Sequence, residues 1–192
     1  MKKIASIYDA KLKDPGRAAQ WLERASQLAP DDRDVLLPLV DLFIAAGRQR
    51  DAIPLLEKVI ATFAGKRTKE VAQLHHRLGL AQEGLGETAA ALAQYDAAFK
   101  IDLTSVPILR DLGRLTHQTG DLDRAQKTFR ALLLQKLDPT TAGITKADVY
   151  YYLGDISAKQ ADKPKAISML ERAIAEDKAH DRARALLAEL KA

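Results

Sequence analysis

The chain contains no cysteine and no asparagine, and only 5% of its residues are aromatic. Without cysteine it can form neither a disulfide framework nor a thiolate site. Met1-Lys2-Lys3 resembles the start of a signal peptide, but the apolar run from Ile4 to Tyr8 is too short and Asp9 ends it. No stretch is long enough to cross a membrane. These absences favour a cytoplasmic protein without a membrane anchor, and the Ala-, Leu- and Arg-rich composition suggests a bacterial one.

Alanines instead mark an internal repeat. They follow one another at intervals of 34, 39, 34 and 41 residues, and each is followed four positions later by a large apolar residue. Thirteen positions before the second to fifth of them the residue is always leucine, and three of those leucines precede a glycine. The five repeat alanines are Ala18, Ala52, Ala91, Ala125 and Ala166.

Each repeat is predicted to be a pair of antiparallel helices. Apolar residues recur at three- and four-residue spacing, as on one stripe of an amphipathic helix. A turn glycine followed by a polar residue, as in Gly86-Glu87, suits the left-handed conformation that ends a helix. One hairpin cannot bury its apolar face alone, so neighbouring hairpins must stack.

This pattern resembles the tetratricopeptide repeat (TPR) family, whose repeat has about 34 residues. The resemblance implies an all-α fold, a right-handed α-solenoid of stacked antiparallel helical hairpins that forms a single domain over residues 1–192. Longer connections follow the second and fourth repeats, and the irregular ends leave open that the chain is a fragment of a longer array. The expected repeats cover residues 1–30, 31–65, 68–103, 105–137 and 145–178, with a closing helix at 181–192.

The resemblance also implies a non-catalytic scaffold that binds a peptide or extended segment of another protein in a concave groove lined by the first helices. Arg77, Arg110 and Arg114 would form a basic centre there, which favours an acidic and apolar partner segment. The alternative is a solvated charged face in which Asp111 and Glu83 neutralise the arginines. The candidate groove residues are Leu37, Asp41, Ile44, His76, Arg77, Arg110, Asp111, Arg114, His117, Tyr151, Tyr152 and Asp155.

One class of TPR partner is disfavoured. Domains that capture the C-terminal carboxylate of heat-shock chaperones use a lysine, an arginine and two asparagines, and this chain has no asparagine. Among the corresponding positions, Asp111 and Asp148 are acidic and would repel a terminal carboxylate. We therefore expect no chaperone-tail clamp.

The sequence offers no constellation for catalysis, a cofactor or a metal. His75 and His76 are adjacent, so on a helix they point about 100° apart. His76 and His117 lie near opposite ends of neighbouring helices, roughly 10 Å apart along the axis and too far for one ion. We expect neither enzymatic activity nor a bound cofactor or metal.

Two further functions stay open. The net charge of +4 and the pI of about 9.2 allow a nucleic-acid-binding repeat, although acidic residues interrupt the continuous positive stripe that phosphates require. Alternatively, an uncapped first hairpin would expose Ile4, Ile7 and Tyr8 and could drive self-association.

Overall fold

The computed structural model describes residues 14–138 and 140–192, which form ten α-helices and no strand. The predicted all-α fold is confirmed. The expected first helix, near Lys2 to Leu12, and the self-association surface at Ile4, Ile7 and Tyr8 lie outside the described residues. The helices are α1 (Pro15–Leu28), α2 (Arg33–Ala45), α3 (Gln49–Ala61), α4 (Lys69–Gly84), α5 (Thr88–Ile101), α6 (Val106–Gln118), α7 (Leu122–Leu133), α8 (Lys146–Lys159), α9 (Lys163–Glu176) and α10 (Asp181–Lys191).

The chain divides into two compact units, one ending at Ile101 and one beginning at Asp102. Unit 1 contains α1 to α5, and unit 2 contains α6 to α10. Within each unit every helix packs against the next one along the chain. That the whole chain forms one domain stays a prediction.

The repeat alanines lie at the centre of this packing, and all five have an exposed fraction of 0%. A small side chain lets two helix backbones approach each other closely. In the α4–α5 hairpin, a glycine of the first helix faces the bulky residue of the second. At Gly79, a Cβ atom would lie only 2.5 Å from a ring carbon of Tyr95.

Turn residues with positive φ separate the helices of each hairpin. Gly47, Gly86 and Gly120 have φ of 73°, 76° and 82°. Ala161 occupies the same place in the last hairpin with φ of 60°, a conformation that costs a non-glycine residue energy. No helix within residues 14–138 and 140–192 is long and apolar enough to cross a membrane.

The longer connection after α7 ends in a reciprocal cap of α8. The Thr145 hydroxyl accepts a hydrogen bond from the Asp148 backbone N–H, at 3.1 Å. The Asp148 carboxylate in turn accepts from the Thr145 backbone N–H, at 2.8 Å. These bonds satisfy donors that a helix start leaves without intrahelical partners, so they fix where α8 begins.

Candidate partner-binding surfaces

The predicted groove residues all lie on the first helices of hairpins, and the two units divide them. Leu37, Asp41 and Ile44 are on α2, and His76 and Arg77 are on α4, so these five belong to unit 1. The remaining seven belong to unit 2. On α6 are Arg110, Asp111, Arg114 and His117, and on α8 are Tyr151, Tyr152 and Asp155.

In unit 1 the predicted basic residue is already paired. Arg77 Nε lies 3.3 Å from Asp41 Oδ1. Burial raises the pKa of the Asp41 carboxyl above its ordinary value, although the charge of Arg77 acts in the opposite direction. Leu37 and Ile44 are half-buried and pack against the apolar core. This part of the predicted groove therefore offers a pair of opposite charges beside two apolar side chains.

The histidine and the acid on α4 both contact Tyr95 of α5. The His76 and Tyr95 ring centroids are 5.6 Å apart. The Tyr95 hydroxyl donates a hydrogen bond to Glu83 Oε2, at 2.8 Å. Glu83 therefore satisfies the one polar atom of an otherwise buried ring.

In unit 2, Arg110 and Asp111 form a bidentate pair although they are adjacent in sequence. Arg110 Nε donates to Asp111 Oδ1 at 2.9 Å, and Nη2 donates to Oδ2 at 2.8 Å. The Asp111 side chain is only 5% exposed, so its charge depends on this partner. For Arg110 the geometry matches the alternative in which Asp111 neutralises it.

Arg110 also holds the longer connection between α7 and α8. Its Nη1 donates a hydrogen bond to the Ala142 carbonyl oxygen at 3.1 Å. Ala142 is 3% exposed, and the nearby Ile144 is 9% exposed. Arg110 therefore joins α6 to the segment that leads into α8.

A pocket of about 270 Å³ opens between α6, α8 and this connection. We call it the first-helix pocket. Arg114 lies at its edge and donates a hydrogen bond from Nη1 to Gln118 Oε1 at 3.2 Å. The pocket is lined by Arg110, Arg114, Gly143, Ile144, Asp148 and Tyr152.

The carboxylate of Asp148, which lines this pocket, accepts hydrogen bonds from Thr145 and His180. Its Oδ2 accepts the two bonds from Thr145, and its Oδ1 lies 3.3 Å from His180 Nε2. Because His180 Nδ1 accepts the backbone N–H of Ala183, Nε2 carries the proton and donates to Asp148. Burial would raise the pKa of Asp148, but these hydrogen bonds outweigh it and the pKa lies below the ordinary value.

Further along the same two helices, His117 and Lys159 share one carboxylate. His117 Nε2 lies 2.5 Å from Asp155 Oδ2, and Lys159 Nζ lies 2.8 Å from the same oxygen. Burial would raise the pKa of Asp155, but the hydrogen bonds and charges of His117 and Lys159 lower it below its usual range. This cluster ties α6 to α8.

Tyr152 is held rigidly between these elements. Its ring stacks on Phe129 with centroids 4.6 Å apart, and it meets the His117 ring edge-on at 5.3 Å. Such aromatic contacts fix the ring orientation as well as burying area. The pocket wall that Tyr152 contributes is therefore pre-formed.

Two residues that were not predicted from the sequence, His180 and Arg182, cover Tyr151. The Arg182 guanidinium, at the start of α10, lies 4.3 Å from the Tyr151 ring centroid, and the His180 ring lies 5.4 Å away. The sequence predicted a closing helix at 181–192 but did not indicate which side chains the first turn of α10 would place over α8. Within the described ranges, no three His, Asp or Glu residues cluster in a way that could bind a metal ion.

Comparison with known proteins identifies the repeat. Models of the tetratricopeptide repeat match residues 10–78, 72–104 and 148–180. The chain belongs to the tetratricopeptide repeat family. The α6–α7 hairpin falls between the matched ranges, although its Leu112, Gly113 and Ala125 follow the same pattern. A comparison with curated proteins gave no match.

Solved structures of TPR proteins share the fold. MamA is 19% identical with a TM-score of 0.77, and the alignment covers 91% of this chain and 95% of MamA. YrrB, a TPR protein with an unusual peptide-binding site, is 22% identical with a TM-score of 0.74, covering 96% and 88%. The C-terminal part of a TPR repeat-containing protein from Cytophaga hutchinsonii is 16% identical with a TM-score of 0.75, covering 99% and 70%. These likenesses confirm the predicted all-α helical-repeat solenoid.

Proposed function

We propose that this TPR protein is a non-catalytic interaction scaffold that binds an extended segment of another protein on the first helices of its hairpins. Proteins of this family bind other proteins or peptides. The observation that carries the proposal is the first-helix pocket of unit 2, because three of its lining residues, Arg110, Arg114 and Tyr152, belong to the predicted groove. The peptide-binding site of YrrB offers a parallel within the same fold.

The chemistry of the pocket favours an acidic side chain next to an apolar one. Arg114 presents a guanidinium that can hold a carboxylate through two hydrogen bonds. Tyr152 and Ile144 supply apolar surface beside it, and the tyrosine ring is already fixed by Phe129. Asp148 also lines the pocket and keeps its negative charge, so the ligand carboxylate is placed at Arg114 and the apolar side chain at Tyr152 and Ile144.

Arg114 is the residue to vary, because Arg110 has a structural role. Replacing Arg110 would strand the buried Asp111 and release the connection at Ala142, so a loss of binding there would have two explanations. Arg114→Gln removes the charge but keeps a hydrogen-bonding side chain. Lys178→Gln is the matched control. Lys178 is an exposed residue of unit 2 that does not line the first-helix pocket.

The test is affinity capture from a lysate of the source cells, followed by titration of the captured protein against each variant. We expect Arg114→Gln to weaken binding at least tenfold and Lys178→Gln to leave it unchanged. Equal affinities for all three proteins would contradict the assignment of the pocket. Retention on heparin that is lost at modest salt, without a protein partner, would favour nucleic acid instead.

A further inference from the structure

Unit 2 has another pocket, between its second helices α7 and α9 and the outer side of α8. We call it the second-helix pocket. Its volume is about 220 Å³. Tyr150, Leu153 and Met169 supply apolar surface, and Arg130, Lys165 and Arg172 are also among its lining residues. It shares no lining residue with the first-helix pocket.

The pocket contains three cations that no described residue neutralises. In the part of the chain that the structure describes, the side chains of Arg130, Lys165 and Arg172 form no ion pair, and no lining residue is acidic. Arg172 lies over the Tyr150 ring, 6.0 Å from its centroid. Glu171, which follows Met169 by two positions, is paired with Lys191 at 2.9 Å. The pocket therefore carries an uncompensated positive charge above an apolar surface.

This arrangement differs from that of the first-helix residues. There, Arg77 is paired with Asp41 and Arg110 with Asp111. An internal ion pair must be broken or shared before a ligand carboxylate can bind, whereas an unpaired cation needs only to lose water. Among the described residues, Arg130, Lys165 and Arg172 can therefore meet a ligand carboxylate without giving up an ion pair.

The size of the pocket limits what it can hold. About 220 Å³ lies below the roughly 300–1,000 Å³ typical of small-molecule sites, and fits a single large side chain. A nucleic-acid strand would need a longer positive stripe, and a membrane surface would need a wider apolar face. Met169 adds a flexible, polarisable side chain that can adapt to the group inserted beside it.

We propose that the second-helix pocket docks a segment of a partner protein in which one large apolar side chain is flanked by acidic residues. The apolar side chain packs on Tyr150, Leu153 and Met169, and the flanking carboxylates meet Arg130, Lys165 and Arg172. The site is separate from the one assigned under the proposed function. Unit 2 would then bind one partner segment at the first-helix pocket and another at the second-helix pocket.

Met169 offers a direct probe, because Met1 and Met169 are the two methionines of the chain. The experiment follows the ¹³C-methyl signals of methionine in the full chain during titration with an end-blocked peptide that has a central leucine–phenylalanine pair between glutamates. We expect the Met169 methyl signal to shift and saturate while the Met1 signal stays in place. Met169→Leu assigns the signal.

Two protein variants with equal loss of charge make the result specific. Arg130→Gln, Lys165→Gln and Arg172→Gln together should weaken the peptide affinity at least tenfold. The matched control replaces three exposed lysines outside both pockets, Lys66, Lys69 and Lys178, and should bind as the unmodified chain does. All six side chains are at least partly exposed, so circular dichroism should show unchanged helicity in both variants.

Several outcomes would overturn the inference. Equal affinities of the two triple variants, or equal binding of a peptide in which glycines replace the apolar pair, would reduce the interaction to general charge attraction. Tighter binding of a single-stranded oligonucleotide or of phosphatidylserine vesicles, seen at the Met169 methyl, would assign the pocket to that ligand class. Loss of the Met169 shift in Arg114→Gln would move the peptide to the first-helix pocket, whereas an unchanged shift there keeps the two sites distinct.

Discussion

Tyr150 and Tyr152 stand two residues apart on α8 and line different pockets. Successive residues of an α-helix are about 100° apart, so these two rings point to nearly opposite sides. Tyr152 stacks on Phe129 beside the first-helix pocket, and Tyr150 lies near Arg172 in the second-helix pocket. One helix thus supplies an aromatic wall to each candidate binding surface.

Gly79→Ala should destabilise unit 1. The new Cβ would lie 2.5 Å from a carbon of the Tyr95 ring, which is fully buried and cannot move aside freely. Overpacking a core costs about 1–3 kcal/mol, and the better helix propensity of alanine offsets up to about 1 kcal/mol of it. We expect a net loss of up to about 2 kcal/mol, measured by urea denaturation.

Gly84→Ala on the same helix is the control for that prediction. The three atoms nearest to its Cβ would all belong to the flexible, partly exposed side chain of Gln49, which can rotate away. This variant should unfold at the same urea concentration as the parent or slightly above it. Equal destabilisation by both substitutions would show that the contact with Tyr95 is not the cause.

Arg110 and Asp111 should show strong coupling in a double-mutant cycle. Arg110→Ala removes the bidentate partner of the Asp111 carboxylate, which is 5% exposed, and losing a hydrogen-bond partner of a buried charge costs about 1–3 kcal/mol or more. Adding Asp111→Ala removes that charge and should recover part of the loss. The coupling is obtained from the unfolding free energies of the two single variants and the double variant.

A simple surface pair would behave differently. If the bond were solvated, each single substitution would cost little and the effects would add, because exposed ion pairs contribute only about 0–1 kcal/mol. Additive losses in the cycle would therefore contradict the buried role that we assign to this pair. The hydrogen bond from Arg110 to Ala142 is lost in Arg110→Ala and equally in the double variant. Its loss therefore cancels in the cycle and does not contribute to the coupling energy.

Acid should destabilise the chain in part through Asp155. His117 and Lys159 hold the folded-state pKa of this carboxyl below its unfolded value of about 3.9. Its contribution is therefore complete above the unfolded pKa and is lost as pH falls through the folded pKa. Asp155→Asn should flatten the decline of stability between about pH 5 and pH 3, followed as the urea midpoint at each pH.

Asp41 should change the pH dependence of folding stability in the opposite direction from Asp155. Burial raises its folded-state pKa, so the folded chain binds this proton more readily than the unfolded chain and gains stability on acidification. Asp41→Asn removes that gain and should make the acid decline steeper. Flattening by both substitutions would show that the pKa directions assigned to the two carboxyls do not govern the response.

The helical pattern could be predicted from the sequence because it repeats. Ala91 and Tyr95 are fully buried in the structure, as expected of an apolar stripe at helical spacing, and Gly86 adopts the positive φ that ends a helix. Each of these features depends on neighbours within a few positions. Local periodicity therefore predicts the hairpins.

For the charge pairing within the site, the sequence left two alternatives open: a basic centre for a partner, or arginines neutralised by Asp111 and Glu83. Arg110 and Asp111 are adjacent on α6, where neighbouring side chains normally point in different directions. The long arginine side chain nevertheless reaches the carboxylate of the short aspartate. The approach of Ala142 to Arg110 depends on an irregular connection with no periodicity. Arg130 lies on α7, whereas Lys165 and Arg172 lie on α9, and only the packing of these two helices brings the three cations to one pocket.

The close contacts between paired helices have a consequence for exchanging repeats between proteins. Gly79 faces Tyr95, and Gly113 lies against the ring of Phe129. In the α2–α3 hairpin the equivalent residues are Val40 and Leu56, both 0% exposed. Both rings thus sit opposite glycine, as Leu170 does opposite Gly154, whereas Val40 fills the glycine position in the α2–α3 hairpin. A graft that carries one helix of a hairpin without its mate would mismatch these volumes, so the interchangeable module is the complete hairpin.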